Sequence, residues 1–141
     1  IMHPTALPSK YGIGDFGNTS KEFIDFLEET STNIWQVLPL GLTSLDEFSP
    51  YSSPSSILGN RYLIDIEQLD GFDKKNYNVE NFSKEYVEYK KVYDFKDLVF
   101  KDLSQTINPD DEIYSNFLNE ELIKQHITYV KILLASNQLQ I

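Results

Sequence analysis

The sequence predicts an α/β fold, and two observations carry that expectation. Residues 1–70 alternate short apolar runs with one amphipathic helix, in the order strand, helix, strand, and the long loops follow the strands. Residues 71–141 change texture to charged stretches with apolar residues at helical spacing. The domain expectation follows: a βαβ opening over 1–70, then a helical segment over 71–141.

Each element has its own signal. Ile1–Met2 reads as the tail of a strand. The stretch from His3 to Gly17 is a loop, punctuated by Pro4, Pro8, Gly12, Gly14 and Gly17. Thr19 with Glu22 three residues on is a capping box. The helix it opens should turn Phe23, Ile24 and Leu27 inward and Asp25, Glu28 and Glu29 to solvent. Ile34–Leu38, between Asn33 and Pro39, has the pattern of a buried strand. A second long loop runs from Pro39 to Asn60, and Tyr62–Ile66 is a further short extended piece. Two successive strands joined by a helix should be parallel. In α/β folds the ligand sits at the carboxyl ends of such strands, where these long loops lie.

In the second region Phe82, Tyr86, Tyr89, Tyr93, Phe100, Leu103 and Ile107 step by helical spacings, with Lys96 breaking the stripe and an interruption expected near Asp94. Asn108-Pro109 followed by Asp110, Asp111 and Glu112 is a helix start: a capping amide, a proline at the first position and acids in the positive first turn. The helix should carry Ile113, Phe117, Ile123, Ile127, Val130 and Leu134 inward. These stripes read as packing surface.

Composition excludes several function classes. Lys and Arg number 12 against 22 Asp and Glu, a net charge of −10 with a pI near 4.5. Such a surface repels phosphate, so neither nucleic acid nor an anionic membrane is expected as a partner. There is no cysteine, which removes disulfides and thiolate metal sites and is compatible with a reducing, cytoplasmic setting. No apolar run approaches the roughly 18–20 residues of a membrane span, and no leader opens the sequence. Both ends read as places where a longer chain is interrupted.

Candidate chemistry is sparse. His3 stands at a strand end and His126 within the last helix, and no paired-histidine spacing suggests a metal. Gly12-Ile13-Gly14-Asp15-Phe16-Gly17 has the spacing of a dinucleotide fingerprint. The strand before it is separated by two prolines, which breaks the required strand-turn-helix context. No cofactor and no metal are expected. The loop from Gly41 to Asn60 mixes hydroxyls, an amide, the carboxylates of Asp46 and Glu47, and aromatic rings. That mixture suits a carbohydrate, and it also describes a plain Ser/Pro surface loop.

Six strings then occur in a fixed order: His3–Ser9, Tyr11–Gly17, Phe23–Leu27, Trp35–Gly41, Ser49–Tyr51 and Gly59–Asp65. Together they resemble the N-terminal part of the 4-alpha-glucanotransferases (amylomaltase, or disproportionating enzyme). The resemblance covers residues 1–70; residues 71–141 share only the texture of that family's helical insertion. It implies a (β/α)₈ TIM barrel whose first two βα units lie in 1–70. It also implies transfer of α-1,4-glucan segments between maltooligosaccharides by a retaining mechanism. Such chemistry needs a nucleophile and an acid/base carboxyl about 5–5.5 Å apart. In the family these come from later strands, so the chain alone is expected to be inactive. Asp46 and Glu47, adjacent in sequence, do not replace them.

Carried over residue by residue, the Ser-Pro-Tyr block makes Ser49 and Tyr51 the substrate-binding candidates. Asn60 and Asp65 are structural, and His3, Pro4 and the 11–17 loop belong to the same rim. The sequence departs from the family's Gly-Pro-Thr-Gly-Tyr-Gly-Asp with Gly41-Leu42-Thr43-Ser44-Leu45-Asp46-Glu47-Phe48. Leu45 stands where a glucan-stacking aromatic is usual, and Pro54 and Ile57 replace two phenylalanines. The competing expectation is a non-catalytic glucan-binding or interaction module.

Overall fold

A computed structural model describes residues 1–116 apart from 45, 56, 80, 109, 111, 113 and 114. Residues 1–105 form one compact unit and 106–141 a second. In the first unit, α1 spans Asn18–Glu29 and α2 spans Tyr89–Ser104, with short 3₁₀ turns at Pro4–Ala6, Arg61–Leu63, Ile66–Gln68 and Lys74–Asn76.

The expected strands do not form among the described residues. Ile34–Leu38 has no regular structure and is not buried, with Ile34 80% exposed, and a single backbone bond joins it to the first segment, from Met2 N–H to the Gln36 carbonyl at 3.1 Å. One bond is not a ladder, and Ile1–Met2 offers too little length to build one. The nearest approach to a sheet is an isolated antiparallel bridge between Gly41 and Gly59. The described part is therefore helix-rich rather than α/β.

Tyr62–Ile66 likewise forms no strand, only Ile64 and Asp65 being extended between two 3₁₀ turns. Asn60 Oδ1 accepts from Tyr62 N–H at 3.0 Å, and Asp65 Oδ1 accepts from Glu67 N–H at 2.9 Å. Each side chain caps a 3₁₀ turn, and this local bonding outcompetes the extended form that the apolar residues favour.

α1 begins one residue before the expected box. Gly17 is its N-cap, and no side chain caps it. Asp25, Glu28 and Glu29 are exposed as expected, and Phe23 meets Trp35 edge-on at 5.0 Å. Ile24 does not turn inward. It is 51% exposed, and among the large apolar residues of α1 only Phe23, which meets Trp35, and Leu27 are half-buried.

α2 starts at Tyr89 and runs through Asp94 without interruption. Phe82 and Tyr86 precede it. There Ser83 N–H donates to the Glu88 carboxylate at 2.9 Å and Glu85 N–H to Ser83 Oγ at 3.2 Å, spending donors that a helix would need. The buried face of α2 is Val92, Tyr93, Phe95, Lys96 and Val99. Two apolar clusters form along it. Tyr11, Ile66, Phe95 and Val99 make one, and Ile13, Tyr62, Val92 and Tyr93 the other. Each fully buried aliphatic or aromatic side chain here is worth about 1.5–3 kcal/mol of transfer free energy. α2 thus serves as the spine against which the 11–17 loop and the 60–69 turns are laid.

The glycines of the 12–17 loop serve this packing. Gly12 has φ +76°, a conformation side chains disfavour. A Cβ at Gly14 would lie 2.0 Å from the Pro4 carbonyl oxygen. The backbone is pressed against the first 3₁₀ turn, and Gly14 N–H donates to the Thr5 carbonyl at 3.1 Å.

In the second unit, Asn108 Oδ1 accepts from Asp110 N–H at 3.0 Å, the cap expected there, and Glu112, Ser115 and Asn116 are helical. His126 and the inward face expected from Phe117 to Leu134 lie outside the described residues.

Candidate functional site

The loop between residues 40 and 60 is held at its base as two antiparallel arms. Leu42 N–H donates to the Leu58 carbonyl at 2.9 Å, Asn60 N–H to Leu40 at 2.8 Å, and Ser44 N–H to Ser52 at 3.2 Å. At the tip, Phe48 N–H donates back to the Ser44 carbonyl at 3.0 Å. Phe48 adopts φ +53°, a left-handed conformation costly for a bulky residue. Its ring offsets that cost by stacking on Tyr89 at 5.3 Å and meeting Tyr93 edge-on at 5.3 Å. The tip is thereby anchored to α2.

Ser49 and Tyr51 lie just past this anchor, on one turn. Tyr51 N–H donates to Ser49 Oγ at 3.2 Å, and Ser52 N–H to the Ser49 carbonyl at 3.1 Å. The Ser49 hydroxyl accepts in this turn, so its proton is available to a ligand oxygen. Tyr51 is 73% exposed, and among the described residues its ring pairs with no other ring. An uncommitted ring beside an available hydroxyl can meet a sugar's C–H face and one of its hydroxyls. Asp46 and Glu47 are both exposed, and Glu47 accepts from Ser52 Oγ.

His3 stands at the base of the loop rather than its tip. Its Nδ1 pairs with the Thr5 hydroxyl at 2.8 Å, and its Nε2 is buried without a hydrogen-bond partner among the described residues. Burial lowers its pKa below the usual imidazole value, opposed by the Pro39 carbonyl. It borders a cavity of about 80 Å³ that Thr43, Asn60 and Tyr93 also line. Thr43 Oγ1 and Tyr93 Oη lie 2.7 Å apart, fixing this polar floor.

The residue that sequence reasoning most misjudged is Lys96. Taken as a break in an apolar stripe, it is instead the fully buried centre of α2's inner face, 0% exposed. Its Nζ donates to the carbonyls of Tyr62 at 2.7 Å and Ile64 at 2.8 Å, and lies 3.6 Å from Asp15 Oδ2. Asp15 Oδ1 in turn accepts from Gly17 N–H at 3.0 Å. Burial lowers the Lys96 pKa and raises that of Asp15, each partly countered by the other's charge. Lys96 therefore ties the 13–17 loop and the 60–65 turns to one helix. The signal was present in the spacing, because 92, 96, 99 and 103 step by four, three and four along one helical face.

Tyr62 is also polar at its edge. Its hydroxyl donates to Asp97 Oδ2 at 3.0 Å, beside an Arg61–Asp97 pair closed by two bonds of 3.0 Å. Burial chiefly, with help from Asp97 and against Arg61, pushes its pKa up to about 12. Among the described residues no group of three or more His, Cys, Asp or Glu is placed to hold a metal ion. No helix among them is long and apolar enough to cross a membrane.

An exposed ring and hydroxyls on an anchored turn, beside a polar-floored cavity, are features found in carbohydrate-handling proteins. Comparison with known proteins places the chain more narrowly. Residues 2–140 match the family model described as 4-alpha-glucanotransferase, and the chain belongs to that family. It is 41% identical over 126 residues to a 4-alpha-glucanotransferase of Clostridium butyricum, covering 85% of this chain and 26% of that protein. It is 39% identical over 137 residues to the one from Aquifex aeolicus, covering 93% of this chain and 26% of that protein. Among solved structures it resembles an amylomaltase from Streptococcus agalactiae in complex with acarbose. That match has a TM-score of 0.73 and 34% identity, over 89% of this chain and 26% of the other. The chain thus spans about a quarter of the length of these relatives.

Proposed function

We propose that this chain is the N-terminal segment of a 4-alpha-glucanotransferase that moves α-1,4-glucan segments between maltooligosaccharides by a retaining mechanism. On this reading residues 1–70 open the (β/α)₈ barrel and residues 71–141 form its helical insertion. The nucleophile and acid/base carboxyls, which must stand about 5–5.5 Å apart, come from sequence beyond Ile141. Ser49 and Tyr51 contact the glucan. The protein works in the cytoplasm on uncharged sugars, with no metal or cofactor, and neither nucleic acid nor membrane is a partner.

The observation that carries the glucan contact is Tyr51 itself, an exposed ring with no aromatic partner among the described residues, on a turn fixed by the half-buried anchor Phe48. The backbone that carries the ring is already fixed, so only the side chain itself is ordered on binding, which limits the entropic cost of association. Titration of maltoheptaose against the chain tests it. Binding that Tyr51→Ala weakens by about tenfold or more and Tyr51→Phe retains supports the contact, and unchanged binding by Tyr51→Ala refutes it.

A further inference from the structure

His3 carries a polar atom that its protein neighbours do not satisfy. Its Nδ1 accepts from Thr5 N–H at 3.4 Å and lies 2.8 Å from Thr5 Oγ1. A ring nitrogen that accepts a main-chain N–H carries no proton, so the neutral imidazole holds its hydrogen on Nε2. Nε2 is buried, and among the described residues no hydrogen-bond partner meets it. The Pro39 carbonyl acts on the ring's charge without closing a bond to that atom. A buried donor left unmade is costly.

The cavity that His3 borders offers what this donor lacks. Its volume is about 80 Å³, and Thr43, Phe48, Pro50 and Tyr93 are among its walls. A water molecule needs about 10–15 Å³, whereas small-molecule sites take about 300–1,000 Å³, so the space suits water and is too small for a sugar ring. Thr43 Oγ1 and Tyr93 Oη, 2.7 Å apart, share one hydrogen bond, which leaves lone pairs and one hydroxyl proton unspent on that bond. The walls bring no carboxylate and no cationic side chain besides the imidazole, so nothing there matches an ion.

From this juxtaposition we infer that the cavity holds a buried water, accepting from His3 Nε2–H and donating to the Thr43–Tyr93 hydroxyl pair. The bridge ties the first segment to the 40–60 loop and to α2. Phe48 and Pro50 flank Ser49 and wall the same cavity, so the bridge braces the turn that presents Ser49 and Tyr51. His3 is thereby a positioning residue for that turn, apart from its capping of Pro4–Ala6 through Nδ1. Its bearing on glucan rests on the reading of that turn as the sugar contact.

Two substitutions separate the bridge from the cap. His3→Asn keeps an acceptor near the Nδ1 position and removes the reach of Nε2, whereas His3→Gln keeps a donor near Nε2 and gives up the cap. The measurement is amide hydrogen exchange at Phe48, whose N–H donates to the Ser44 carbonyl at 3.0 Å, together with nuclear magnetic resonance of the His3 ring. Expected are a proton on Nε2 with a magnetisation-transfer contact to bound water, Phe48 exchange about tenfold faster in His3→Asn, and near-unaltered exchange in His3→Gln. Maltoheptaose affinity should fall in the same variant and be kept in the other. Faster exchange in His3→Gln with none in His3→Asn assigns His3 to the cap alone and overturns the inference. Exchange that neither variant changes, a proton on Nδ1, or no water contact at Nε2 overturns it equally. If the unaltered chain binds no maltoheptaose, the proposed function fails, while the exchange and ring signals still decide the bridge.

Discussion

Replacing Lys96 by methionine removes the group on which the packing around α2 converges. The variant keeps the unbranched stem, so the change is confined to the ammonium. The Tyr62 and Ile64 carbonyls lose a donor at 2.7 and 2.8 Å, and Asp15, whose side chain is 11% exposed, loses its counter-charge. Breaking a buried pair from one side costs about 3–5 kcal/mol, because the remaining charge stays buried and unpaired. That is a large share of the roughly 5–15 kcal/mol that holds a typical domain folded. Urea unfolding followed by circular dichroism should show a midpoint lowered accordingly. Adding Asp15→Asn removes the stranded charge while keeping an oxygen for Gly17 N–H, so the double variant should lose clearly less than the sum of the two single losses. The pH dependence follows from the Asp15 shift. Its folded pKa is raised above the unfolded value of 3.8, so the stability it contributes is present in acid and lost as pH rises through the folded value. Asp15→Asn should abolish that decline. A loss below about 1 kcal/mol for Lys96→Met, or additive losses in the double variant, would refute the reasoning.

Other outcomes follow from close contacts and from the polar edge of the core. Gly14→Ala places a methyl carbon 2.0 Å from the Pro4 carbonyl oxygen, against backbone that has no rotamer to yield. It should destabilise by about 1–3 kcal/mol or more, read as a lowered unfolding midpoint, whereas wild-type stability would contradict the described packing. Tyr62 should ionise at about 12, seen as a late step in ultraviolet titration that Tyr62→Phe removes. Because that value lies above the unfolded 10.0, the stability from Tyr62 is present below pH 10.0 and lost as pH rises through about 12.

The sequence made some elements legible and hid others for identifiable reasons. α1 is readable because Phe23 and Leu27 lie one turn apart and acids fill the other face, although its start was misplaced, since Gly17 caps without a side chain. The Ile34–Leu38 run has the composition of a buried strand, but a strand also needs a ladder, and here it has one backbone bond to Met2. In Tyr62–Ile66 the apolar residues outvoted Asn60 and Asp65, whose spacing before successive turns was the better guide. Lys96 was misread because a charge within an apolar stripe is usually a break. Its partners are main-chain carbonyls and Asp15, far away in sequence, and no local pattern announces them. At the candidate site, the Ser-Pro-Tyr block pointed to Ser49 and Tyr51. The anchor that presents them, Phe48 on Tyr89 and Tyr93, appears only when the loop and α2 are brought together.

The central claim is that this chain belongs to a glucan-transferring enzyme without carrying its reacting carboxylates. The most direct measurement follows glucose release from maltotriose by the purified 141-residue chain, beside the product of the same reading frame continued past the codon for Ile141. The account predicts no glucose above background from the chain and glucose with longer maltooligosaccharides from the extended product. Glucose release by the chain alone, or a reading frame that stops at Ile141, would contradict it.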